Sequence, residues 1–419
     1  SLEYDLILFP VLGSFGGAVG LQALQENYLL TVESFQSILK TLGDEGILSI
    51  SVYIDHPPRQ SLKLLSLLVK ALEKAGVDDP SAHVAALRSW ELLTIVASSR
   101  PMDKSVPLKI AELAATRGFD RAWIPGIGPG HEDRYHIMED DLFISGFSSI
   151  MEKNEFTETY PFMIDAPSDD RPYFHQFLRW EHLNEAMKRL GEGSLAVMEL
   201  GAIIVAAAIG ILALSGALLI LLPLLRLRTK VGRNSLAVFI YFAALGLGFM
   251  FLEILWIQRF ILYWGHPLYS AAGVIAALLV GMGLGSISAS RLPDRRATLP
   301  LVLCMASVVL FLWLGIISPL FDATLALPQF IKFIIGILIL VIPSFLMGMP
   351  FPLALRRLGR ISPHLTPWAW AINGFFSVLA APASALISMQ LGFTALGWCA
   401  LAAYLAALAT AFCFLKNAE

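Results

Sequence analysis

The order of apolar and polar positions divides this chain in two. Over residues 1–194 short apolar runs alternate with amphipathic stretches; over 195–415 long apolar runs follow one another, broken by short polar loops. In the first part Leu6-Ile7-Leu8-Phe9 reads as a buried strand, 4–9, with Gly13, Gly16 and Gly17 in a tight loop at its C-terminal end. A helix is predicted over 27–42, and Gly46 leads into a second strand, ILSISVYI (47–54), which Pro57-Pro58 ends. The stretch SLKLLSLLVKALEKAG (61–76) has the spacing of an amphipathic helix, with Lys63, Lys70 and Lys74 on a shared polar face and Gly76 at its stop. A strand over 91–98, a helix over 107–117 and a strand over 121–127 follow. Strands alternating with helices predict βαβ units and a parallel sheet, the second half of a doubly wound domain.

In the second part about seven runs can cross ~30 Å of hydrocarbon. They cover 199–222, 236–259, 269–290, 299–319, 330–350, 368–390 and 394–415. Pro343, Pro350 and Pro352 are expected to bend or break the fifth. Gly281, Gly283, Gly285, Ser286 and Ser288 permit close approach of a neighbouring helix. Basic residues follow every second run: Arg226, Arg228, Lys230 and Arg233, then Arg291, Arg295 and Arg296, then Arg356, Arg357 and Arg360, then Lys416. The intervening loops have almost none, so the basic loops are expected in the cytoplasm and residues 1–194 outside it.

Composition agrees with this division. Of 419 residues, 56% are hydrophobic and only 15% charged, where a soluble protein carries about 25%; the mean hydropathy is +0.68. A net charge of −3 gives no electrostatic case for nucleic acid. Cys304, Cys399 and Cys413 lie in apolar runs, without the spacing of a metal site or a disulfide framework.

Four stretches carry candidate chemistry. GSFGG follows a strand, but no helix of the dinucleotide-binding register opens after it, so its glycines read as loop geometry rather than a phosphate cradle. Glu26 can border a pocket for a cationic amine, or it can simply start a helix with Asn27, since acids suit a first turn. His131 and His136 stand in H-E-x-x-x-H, one residue longer than the zincin spacing, so this stretch reads as a solvated loop and not a metal site. Glu253 is an acid within a span, with Arg259 or a facing helix as its expected partner. It fits a cation site or a buried structural pair equally well, and His266 and Trp264 lie at the expected outer end of the same span.

YDLI with its glycine-rich loop, ENYLLTVESF, LGDEGILSIS and DDRPYFHQFLRW, in that order, resemble the spermidine/spermine synthase superfamily. The resemblance is closest to its membrane-fused bacterial members, in which a Rossmann-like synthase domain adjoins transmembrane helices. It implies a partial Rossmann-like domain over 1–194 and a polytopic helical domain over 195–419, in the bacterial inner membrane. It also implies an aminopropyltransferase ancestry, with a cofactor-binding half preceding the first strand. Gly13, Ser14, Glu26, Asn27 and Tyr28 are then the candidate ligand-binding residues. Asp169, Asp170 and Arg171 match a family motif expected to turn the chain toward the bilayer, with Tyr173, Phe174, Phe177 and Trp180 in an interfacial belt.

Aminopropyl transfer needs a carboxylate near the end of that first strand, and no acid lies between Asp5 and Glu26. No catalytic residue is therefore assigned. The expectation is a degenerate, ligand- or partner-binding membrane subunit, with the bilayer, an upstream segment or other membrane subunits as partners and no cofactor for this chain alone. An active aminopropyl or methyl transferase would require an upstream segment to complete a pocket for an S-adenosyl nucleotide. A transporter-like module would use Glu253.

Overall fold

The computed structural model describes residues 3–12, 22–130, 135–136, 142–152, 156–190, 201–221 and 233–416. The chain divides into two compact units, Ser1–Ile204 and Val205–Glu419.

The first unit is built on a mixed five-stranded sheet. Its strands are β1 (Tyr4–Leu12), β2 (Leu42–Tyr53), β3 (Val84–Arg88), β4 (Leu92–Ser98) and β5 (Asp120–Trp123), in the order β1-β2-β4-β3-β5. β1 and β2 are parallel, joined through α1 (Val32–Thr41); every other pairing is antiparallel. The parallel sheet expected from strand–helix alternation is thus corrected. VAALR at 84–88 has none of the β-branched and aromatic richness that marks a strand. It nevertheless pairs with β4 across the short Ser89-Trp90-Glu91 loop, closed by Ser89 N–H to Leu92 O at 2.8 Å. A loop that short joins only antiparallel neighbours.

Alternation along β2 and β4 puts Leu48, Ile50 and Val52 with Leu93, Ile95 and Ala97 on one face. Side chains of α1, α2 (Gln60–Lys74) and α4 (Leu142–Met151) close a single core over it, Phe35, Leu68 and Phe147 among them. Across the sheet lies α3 (Ser105–Arg117), stopped by Gly118 at φ 69°. The helix expected over 27–42 is a 3₁₀ turn, Tyr28–Leu30, followed by α1, because Thr31 is extended and caps Ser34 N–H at 3.3 Å.

Two further expectations change. Lys63 does not share the exposed face of Lys70 and Lys74: it is 2% exposed, because residues 160–178 lie over the first half of α2. Tyr173, Phe174 and Phe177 form no interfacial belt. They are buried in the first unit, and Trp180 alone of the four is exposed. After the short helices α5 (Phe156–Thr159) and α6 (Leu183–Leu190), the chain enters the apolar helices.

These are α7 (Gly201–Gly216, extended by a π turn at Ala217–Leu221), α8 (Arg233–Trp264), α9 (Pro267–Arg291), α10 (Thr298–Thr324), α11 (Gln329–Met347), α12 (Pro350–Ile361), α13 (Thr366–Leu391) and α14 (Phe393–Lys416). By length and composition they give seven helices able to cross a membrane, with α11 and α12 counted as one span. In the second unit α8 is the central helix and packs mainly on α13 and α14. Small residues set the close approaches: a Cβ at Gly246 would stand 2.5 Å from Asn373 O, and Gly281 faces Ser344. The fifth span breaks at Gly348-Met349, with Pro350 in the first turn of α12, where its missing N–H costs nothing.

Candidate functional site

Of the five sequence-selected ligand residues, Gly13 and Ser14 lie outside the described residues. The other three, Glu26, Asn27 and Tyr28, fall in the segment between β1 and α1, which is stitched to residues 167–173. Asn27 N–H donates to Pro172 O at 2.7 Å, and Val32 N–H to Pro167 O at 2.9 Å. Thr31 Oγ1 donates to Asp169 Oδ1 at 2.7 Å, and Asp169 N–H to Glu33 Oε2 at 3.0 Å. Asp169, Asp170 and Arg171 sit in a turn closed by Arg171 N–H to Ser168 O at 2.8 Å. The motif expected to direct the chain toward the bilayer therefore ties the unit's first third to its last.

At the centre of this seam Tyr173 Oη donates to Glu26 Oε1 at 3.2 Å. Burial pushes the Glu26 carboxyl up from its usual range to about 7, against the lowering effect of the Tyr173 hydrogen bond. Near neutral pH this group exists in both protonation states. It can accept a proton or hold a cation, the two capacities a site for amines needs.

A row of cations on and before α2 supports the far side of the seam. Asp55 accepts from Arg59 Nε at 2.9 Å and from the Arg59 and Gln60 N–H groups, capping the helix. The Arg59 guanidinium lies over the Phe162 and Phe177 rings at 5.4 and 5.7 Å. Lys63 Nζ donates to Gln176 O at 2.6 Å and Tyr173 O at 3.3 Å, and stands 4.8 Å over Phe177. His175, between these two carbonyl-bearing residues, is pushed down to about 4, first by burial and then by the Lys63 charge. Sequence reading missed Lys63 and His175 as partners. The one signal available was the cation of an amphipathic helix that sits nearest its N-terminus, where the flanking aromatics of 173–177 could cover it.

A second polar network holds β3 to β5. Arg88 and Asp120, each 2% exposed, pair at 3.0 Å, and Asp120 also accepts from the Tyr135 and His136 N–H groups at 2.6 and 3.1 Å. These contacts anchor a loop and leave Asp120 filled with donors. His136 Nδ1 is 3.4 Å from Asp120 Oδ2; His131 lies outside the described residues.

The membrane candidates are not brought together. Glu253 is half-buried in α8 and makes no ion pair or hydrogen bond among the described residues. Arg259 Nη2 donates to Thr394 Oγ1 at 3.0 Å, and His266 Nδ1 accepts from Leu268 N–H at 3.2 Å, capping α9. No family model, curated protein or solved structure matches the chain.

Proposed function

We propose that this chain is a multi-pass subunit of the bacterial inner membrane. In this reading its first unit is a degenerate or incomplete spermidine-synthase-like domain that holds an amine ligand rather than transforming it. The observation that carries the reading is the Glu26 carboxyl, half-buried beyond the C-terminal end of β1, bonded to Tyr173 and pushed up to about 7. An ionised carboxylate there attracts an amine cation, and protonation releases it. Asp5 stands at the start of β1, and no acid follows it before Glu26, so the strand's end lacks the carboxylate that aminopropyl transfer needs. With the basic loops in the cytoplasm, the first unit stands outside.

The test is calorimetry of the intact chain in mild detergent, titrated with spermidine. Binding is expected at pH 8, weaker at pH 6, and absent in Glu26→Gln. Equal binding by Glu26→Gln, or no heat at either pH, would sink the reading.

One observation favours a second reading, a transferase completed by an upstream segment. β1 is an edge strand that exposes Tyr4, Leu6 and Leu8, and such an edge invites a further pairing strand. That reading requires the complete gene product to bind an S-adenosyl nucleotide.

A further inference from the structure

The break in the fifth span borders a cleft of about 400 Å³ within the second unit, inside the ~300–1,000 Å³ range of small-molecule sites. Phe249 of α8, Gly283 of α9, Gly348 and Phe351 at the break, Asn373 of α13 and Tyr404 of α14 line it. Most of the wall is apolar and no Asp, Glu, Lys or Arg contributes to it. A charged ligand would lose its hydration and find no counter-charge. The break adds little for an anion, because Pro350 and Pro352 carry no N–H.

The polar atoms in the wall are specific. Asn373 Nδ2 donates to Phe242 O at 3.1 Å, and its amide oxygen has no partner among the described residues. Ser377 Oγ donates to Asn373 O at 2.8 Å. Tyr404 is 2% exposed, yet its hydroxyl makes no hydrogen bond among the described residues. Asn373 and Tyr404 both border the cleft, where a ligand can reach them. One open acceptor, Asn373 Oδ1, and one open donor, Tyr404 Oη, suit a group that donates and accepts at once.

We propose that this cleft binds a small uncharged amphiphile with a hydroxyl end. The hydroxyl accepts from Tyr404 and donates to Asn373, and the apolar body lies against Phe249 and Phe351. A free alcohol and a membrane glyceride share this chemistry.

The test is photolabelling of the intact chain in phosphatidylcholine vesicles with 3-azioctanol, a neutral diazirine alcohol, and mapping of the adducts by mass spectrometry. Adducts are expected on Phe249, Met282 and Tyr404 and are displaced by excess octanol. Displacement also by diacylglycerol assigns a lipid source, and displacement by octanol alone a free alcohol; either supports the site. Tyr404→Phe keeps the ring, and octanol then competes about fivefold more weakly. Gly283→Leu projects into open space on an exposed helix position, so the chain still folds, and it should abolish displaceable labelling. Three outcomes would overturn the proposal: adducts spread evenly over exposed positions such as Leu219 and Phe330 that octanol fails to displace, labelling unchanged in Gly283→Leu, or displacement by tetraethylammonium as strong as by octanol.

Discussion

Burial moves Glu26 and His175 in opposite directions for one reason: each is driven toward its neutral form, the acid up to about 7 and the imidazole down to about 4. The signs for stability follow. Folding raises the Glu26 pKa, so its contribution is full below about 4.5 and is lost as pH rises through about 7. Folding lowers the His175 pKa, so its contribution is full above about 6.5 and is lost as pH falls through about 4. Between those limits the two slopes oppose. Glu26→Gln should remove the falling one, leaving a first unit whose unfolding midpoint rises from pH 4.5 to 6.5 and then stays level to pH 8. Urea unfolding of the intact chain at several pH values checks this; parallel profiles for wild type and variant would count against it. Sequence alone leaves Glu26 either at a helix start or at the border of a pocket, and its partner Tyr173 lies 147 positions away. Local pattern carries no information about such a pairing, and so the state of the carboxyl was not legible.

Elements were legible where burial is uniform and less so where a loop decides pairing. The seven apolar runs match the observed spans to within a few residues at most ends, since hydrocarbon length and backbone satisfaction leave few alternatives. The expected failure of the fifth helix at its prolines occurs at Gly348, with Pro343 remaining inside α11. The sheet was misread because orientation depends on connections: recognising 84–88 as a strand turns a presumed crossover into a hairpin. Packing of α9 on α11 gives a prediction at this scale. A Cβ at Gly285 would collide with Phe345 O, whereas one at Gly315 of α10 meets nothing within 4 Å. Gly285→Ala should lower stability by about 1–3 kcal/mol, and Gly315→Ala should raise it by up to about 1 kcal/mol. Thermal unfolding in detergent separates them, and equal midpoints would show that α9 and α11 can part without penalty.

For the whole molecule the open quantity is sidedness. Basic residues recur after alternate spans, and short loops of this kind orient a membrane protein. With Cys304, Cys399 and Cys413 replaced, a single cysteine at Gly128 should react with an impermeant thiol reagent in intact cells. Reaction only after lysis would place the first unit in the cytoplasm, beside soluble nucleotides, and make the transferase the reading to pursue.

The early stop of α11 has a consequence for the lipid around the chain. Its nineteen residues reach about 28 Å, close to the ~30 Å thickness of an ordinary bilayer interior. The thirty-residue apolar part of α8 reaches about 45 Å and fits the same interior only when tilted or protruding. Thinner bilayers suit α11 and increase the lean of α8; thicker ones straighten α8 and draw the first turns of α12, beyond the break, into the interior. Acyl-chain length thus acts on the two helices with opposite sign, so the bundle has a preferred membrane thickness.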